Sequence, residues 1–167
     1  MNMEHDGSFA RLAVYAGSFD PPTLGHLDLI ERASALFSHV IVGIGKHATR
    51  SPLFAVSERV DLVQQISAHL PNVRVEAFDG LLIEYCRRIG ARVIVRGLRA
   101  ATDFESELQI AHANADLDPD VDTIFLPTRT RNGFISASLV REIASHHGNV
   151  SRYAPAVVCE ALTHKFA

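Results

Sequence analysis

The feature that most constrains this chain is an alternation between two kinds of segment. Short runs rich in Val and Ile occupy residues 11–17, 39–45, 72–78, 91–95 and 123–126. Runs of this length with no polar alternation suit parallel strands that are covered on both faces. Between them lie longer segments with helical spacing. Leu27, Ile30, Ser34 and Phe37 fall on one helical face, and Val60, Val63, Ile66 and Leu70 on another, with Ser57 as the expected N-cap. Residues 81–89 read as a third helix stopped by Gly90, 104–116 as a fourth, 138–146 as a fifth stopped by Gly148, and the stretch after Pro155 as a last one. Strand and helix alternate five times. The expectation is one doubly wound α/β domain with a five-stranded, mostly parallel sheet and right-handed crossovers.

Composition supports a single core. Of the 167 residues 47% are hydrophobic and 21% charged, which is enough apolar material to fold without covalent staples. The formal net charge of -3 gives no global basic field, so a nucleic-acid partner is not expected and any anion site must be local. Cys86 and Cys159 are the only cysteines, and they form no CxxC. They read as buried apolar thiols in a reduced, cytoplasmic protein rather than a disulfide or zinc pair. No apolar run approaches the roughly 18 residues of a membrane span. Residues 1–10 are polar and acidic and read as a disordered tail before a domain spanning 11–167.

Open α/β sheets bind ligands at the carboxyl ends of their strands. The loops expected there carry Lys46, Arg50, Arg96, Arg99, Arg129 and Arg131, with Arg141 one turn into the following helix. Glycines beside Arg96 and Arg99, and Ser138 at an expected helix start, complete what reads as a polyphosphate site. The sharpest signal is Thr23-Leu24-Gly25-His26 after a Gly-terminated strand. It puts an imidazole on the first turn of a helix, where free N–H groups and the dipole favour an anion. Asp20 has two readings open: ordering this loop or a metal-bound water, or capping the turn before Pro21-Pro22.

Residues 15–21, Tyr-Ala-Gly-Ser-Phe-Asp-Pro, together with Thr23 to His26, resemble the signature of nucleotidyltransferases with a (T/H)xGH motif. Residues 135–141, Ile-Ser-Ala-Ser-Leu-Val-Arg, resemble their second motif. Arg96-Gly97-Leu98-Arg99 with Asp103 and Glu107 downstream resembles one branch, the bacterial phosphopantetheine adenylyltransferases. The resemblance implies a Rossmann-like fold, a homohexamer, Mg2+ accompanying ATP, and transfer of the adenylyl group of ATP to 4′-phosphopantetheine. The products would be dephospho-coenzyme A and pyrophosphate, with coenzyme A as a feedback ligand. It implies that Ser18 and Phe19 contact the nucleotide, Ser18 also lying near the acceptor phosphate, and that His26 and Arg50 are catalytic. It assigns Arg50, Leu82 and Arg96 to the acceptor. ATP would be held by Gly97, Leu98, Arg99 and Glu107, and by the loop of Asn132, Gly133, Phe134, Ile135, Ser136, Ala137 and Ser138.

The chain departs from that pattern at several positions. Ser18 stands where Thr is more usual, and Ala137 replaces the middle hydroxyl of a triple serine. Asn132 and Gly133 fall where some members carry an aromatic near the adenine. Arg50 replaces an expected catalytic Lys, and Ser51 a second Lys; Lys46, four residues earlier, is the alternative cation.

Overall fold

The computed structural model describes residues 9–46 and 51–167. The five strands are β1 (Phe9–Gly17), β2 (Phe37–Gly45), β3 (Val73–Phe78), β4 (Val93–Leu98) and β5 (Asp122–Pro127). The helices are α1 (Leu24–Leu36), α2 (Val56–Ser67), α3 (Leu82–Ile89), α4 (Ala101–Leu117), α5 (Ala137–Ser145) and α6 (Ala156–Lys165). A 3-10 turn at Thr130–Asn132 links β5 to α5.

The strands form one sheet in the order β3-β2-β1-β4-β5, and each neighbouring pair is parallel. The chain winds outward from β1 to β3, then returns to place β4 on the other side of β1. The order therefore reverses between β1 and β4, and a crevice opens there at the strand ends. Successive residues of β1 serve opposite faces, as a two-residue period requires. Ala13 and Tyr15 pack with Leu29, Ile30 and Ala33 of α1 and Val63 of α2. Val14 and Ala16 pack with Ile83, Tyr85 and Cys86 of α3. Burial on both faces explains why the strands read as continuous apolar runs. A third cluster joins α5 and α6 to Phe54 and to Leu62 and Ile66 of α2, so the C-terminal helices close over the end of α2.

Two glycines bear on the geometry. Gly90 ends α3 with φ 72°, a left-handed conformation that side chains resist. A Cβ on Gly97 would come within 2.3 Å of Leu29 Cδ1, so a side chain at the end of β4 would have to displace the tip of Leu29.

The helix starts differ from the expectation at two places. Ala55, not Ser57, is the N-cap of α2, and its N–H is accepted by the Glu58 carboxylate at 2.6 Å. The cap thus comes from an acidic group inside the first turn, which also suits the dipole. Ser136, not Ser138, caps α5, its Oγ accepting from Leu139 N–H at 3.1 Å.

Candidate active site

A cavity of about 400 Å³ occupies the crevice between β1 and β4. Tyr15, Ala16 and Gly17 at the end of β1 and Arg96 and Gly97 of β4 line it, with Thr23, Gly25 and His26 at the start of α1. The loop after β5 closes it with Thr128, Asn132 and residues Ile135 to Ser138. Its size suits a nucleotide. Of the residues expected at the site, Ser18, His26, Arg96, Gly97, Arg99, Asn132, Ile135, Ser136, Ala137 and Ser138 meet in this cavity. Arg50 lies outside the described residues.

Five side chains fall elsewhere: Leu98, the last residue of β4, does not line the cavity, nor does Gly133, and the other four are placed as follows. Phe19 is buried, with its ring centroid 5.0 Å from that of His26 and 5.4 Å from that of Tyr15, so it supports the imidazole from behind. Leu82 begins α3 beside β3, two strands away from β1, and does not line the cavity. Phe134 is exposed and meets Tyr153 edge to face, with centroids 5.9 Å apart. Glu107 reaches the site only through Arg96.

His26 is held in one tautomer by the helix start. Thr23 caps α1, its Oγ1 accepting from His26 N–H at 3.3 Å. In return Thr23 N–H donates to His26 Nδ1 at 3.0 Å. A backbone N–H can only donate, so Nδ1 carries no hydrogen and the neutral ring bears its proton on Nε2. The arrangement is a capping box in which an imidazole takes the place of the usual carboxylate. Burial, and then the positive charge of Arg99, lower the His26 pKa to about 4. At neutral pH the residue is therefore a neutral Nε2–H donor.

The arginines do not form the open polycation that the sequence suggests. Arg96 is gripped by Glu107 through two bonds of 2.6 Å and donates a third to Ala16 O at 2.8 Å. Arg99 pairs with Asp103 at 3.1 Å. Arg129 pairs with buried Asp28 at 3.1 Å, and Arg141 with buried Asp20 at 3.3 Å. These last two pairs tie the β5–α5 segment to the β1–α1 unit.

Asp20 also settles between its two readings. Its carboxylate accepts from Leu53 N–H at 2.8 Å, Phe54 N–H at 2.9 Å and Arg141. It orders a loop, but the loop is the distant segment before α2. Arg59, 3% exposed, works from the other side, donating to Phe54 O at 3.2 Å, Ser18 O at 2.7 Å and Gly45 O at 3.4 Å. Sequence reasoning gave Arg59 and Asp28 no role. A charged residue on an otherwise apolar helix face was the only signal either one offered. Among the described residues no group of three or more His, Cys, Asp or Glu could hold a metal ion.

Residues 14–143 match the cytidylyltransferase-like family. The chain is 53% identical over 151 residues to a phosphopantetheine adenylyltransferase from Thermosynechococcus vestitus, covering 90% of each. It is 48% identical over 155 residues to one from Heliobacterium modesticaldum, covering 93% of this chain and 92% of the other. Its fold is similar to that of Plasmodium falciparum nicotinic acid mononucleotide adenylyltransferase complexed with NaAD, with a TM-score of 0.69 over 93% of this chain and 96% of the other, at 12% identity. On the sequence relationship, which runs through both motifs and the whole cavity wall, the chain belongs to the phosphopantetheine adenylyltransferases.

Proposed function

We propose that the chain transfers the adenylyl group of ATP to 4′-phosphopantetheine, releasing pyrophosphate and forming dephospho-coenzyme A. The observation that carries this reading is His26, a neutral Nε2–H donor fixed at a helix start in a nucleotide-sized cavity at the sheet's switch point. The acceptor is itself a phosphate, mostly dianionic near neutral pH, and needs no base to attack. A phosphate oxygen of the acceptor bonds to the α-phosphorus in line, and the bond to the bridging oxygen breaks. The electron pair leaves with pyrophosphate. Catalysis consists of alignment and of donors aimed at the developing charge.

In this reading His26 Nε2–H donates to the α-phosphoryl group. The N-terminal turn of α5, with Ser136, Ala137 and Ser138 in the cavity wall, receives the leaving phosphates. Arg99 serves ATP, and Arg96 the acceptor. Arg50 supplies the cation between the reacting phosphates, with Lys46 as the alternative. Arg50→Ala should then cripple turnover, Arg50→Lys should retain much of it, and Lys46→Ala should be nearly silent. Mg2+ bound with ATP would offset charge on the triphosphate; Asp20 is committed to Leu53 N–H, Phe54 N–H and Arg141 and is not assigned to it.

The proposal extends to a cytoplasmic homohexamer inhibited by coenzyme A, which carries both the pantetheine arm and the adenylate. Exposed Phe104, Ile110 and Leu117 on α4 offer apolar surface for association. The deciding assay is pyrophosphate release from ATP with 4′-phosphopantetheine, compared with nicotinate mononucleotide and glycerol phosphate as acceptors. Release only with one of the latter would refute the acceptor assignment.

A further inference from the structure

Arg59 is a buried cation that meets no carboxylate among the described residues. It sits in the first turn of α2, where the helix dipole disfavours positive charge. Buried charges are normally paired, so a cation kept in this place points to what its geometry does. Its guanidinium engages three main-chain carbonyls from separate parts of the chain. These are Ser18 O in the β1–α1 loop at 2.7 Å, Phe54 O before α2 at 3.2 Å and Gly45 O at the end of β2 at 3.4 Å. A planar fork with fixed N–H directions sets all three relative to one another, which a single ammonium does not do.

The shortest of these bonds fixes a peptide at the site. Ser18 lines both the nucleotide-sized cavity and a smaller one of about 140 Å³, whereas Arg59 lines only the smaller of the two. The Ser18 carbonyl therefore points to the side of the smaller cavity. The Ser18–Phe19 peptide is trans, so the Phe19 N–H lies on its opposite edge, toward the larger cavity. That N–H makes no hydrogen bond among the described residues. Phe19 has φ 49°, a left-handed conformation that an aromatic residue adopts only where its surroundings impose it. Two restraints impose it here. The Phe19 ring is 1% exposed and packs against Tyr15 and His26, and the carbonyl before it is held by Arg59.

We propose that Arg59 is a positioning residue for the reaction. By holding the Ser18 carbonyl it keeps the Phe19 N–H turned toward the α-phosphoryl group, beside the Nε2–H of His26. The inference rests on the nucleotidyl-transfer reading above, and it gives control of the β1–α1 loop to a residue of α2 that touches no substrate. Because carbonyl and ring are both fixed beforehand, the donor needs no rearrangement as charge develops.

The test uses Arg59→Met and Arg59→Lys. Met keeps much of the volume and gives up all three bonds; Lys keeps the charge without the fork. Pyrophosphate release is measured well below each variant's melting midpoint, and active sites are counted by calorimetric ATP binding. Arg59→Met should lower kcat by about 100-fold, the scale of a misplaced reacting geometry, with KM for both substrates within about threefold of the parent. Arg59→Lys should recover part of that loss, standing about 10-fold below the parent, and it carries the comparison if the Met variant does not fold. In a His26→Ala background Arg59→Met should cost far less, because groups that act on one developing charge are not additive. Parental kcat per folded site in the variants would overturn the proposal and leave Arg59 a purely structural role. So would a raised KM with kcat unchanged, or losses fully additive with His26→Ala. A parent that releases no pyrophosphate would refute the transferase reading itself, and the proposal with it.

Discussion

Two loops line the same cavity and are built on opposite terms. In the β1–α1 loop nearly every polar group has a partner within the protein. Thr23 and His26 bond each other, Asp20 holds the chain before α2, and Asp28 holds Arg129. In the β5–α5 loop Asn132 and Thr128 lack side-chain partners among the described residues. The first loop is preorganised, so its donors cost no rearrangement when charge develops. The second is completed by what binds. The end of β4 is an intermediate case, because its arginines are already paired with carboxylates that a substrate phosphate must compete with or share.

The largest effect should come from the preorganised loop. His26→Ala is expected to lower kcat by about 100- to 1000-fold while leaving the ATP dissociation constant near the parental value. Turnover within about threefold of the parent would remove His26 from the chemistry. Next comes the loop's internal wiring. Asp20→Ala strands the N–H groups of Leu53 and Phe54 and should lower the free energy of unfolding by about 3 kcal/mol in a denaturant titration, with Asp20→Asn intermediate. Unchanged stability with an altered Mg2+ requirement would return Asp20 to a metal role.

The intermediate region should show a division of labour. Arg96→Ala is expected to raise KM for the acceptor, and Arg99→Ala KM for ATP, each by about 10-fold, the scale of a lost charge-assisted hydrogen bond. Identical effects on both substrates would erase the distinction. The smallest effect is linked to pH. The His26 pKa is lowered to about 4 in the folded protein, so the unfolded chain takes up this proton first as pH falls. Stability from this source is complete above about pH 6.5 and declines as the pH drops toward 4. The ring is partly open to the cavity, so the loss should be about 2 kcal/mol rather than the full amount for a sealed site. Unfolding titrations of the parent and His26→Gln at pH 7 and pH 5 isolate it; parallel curves would mean that the ring is not held neutral. Activity between pH 6 and 8 should show no titration of His26.

The sequence by itself determined the alternation of elements and, through it, the parallel sheet, because a strand covered on both faces must be apolar throughout. It also placed His26 at a helix start and Ser138 within two residues of another, since caps and first turns are local features carried within a few residues. What it did not contain were the partners. Asp20 meets Leu53 and Arg141, Arg96 meets Ala16, and Arg59 meets Ser18, contacts separated by 33 to 121 residues in the chain. Read linearly, the arginines at the strand ends made a polyphosphate patch, yet only the fold decided that four of them are held by carboxylates. The ring nitrogen of His26 that keeps its hydrogen was likewise a matter of which donor stood opposite. Asn132 shows the same limit in reverse, because an unpaired amide is visible only when every neighbour that might have satisfied it has been put in place.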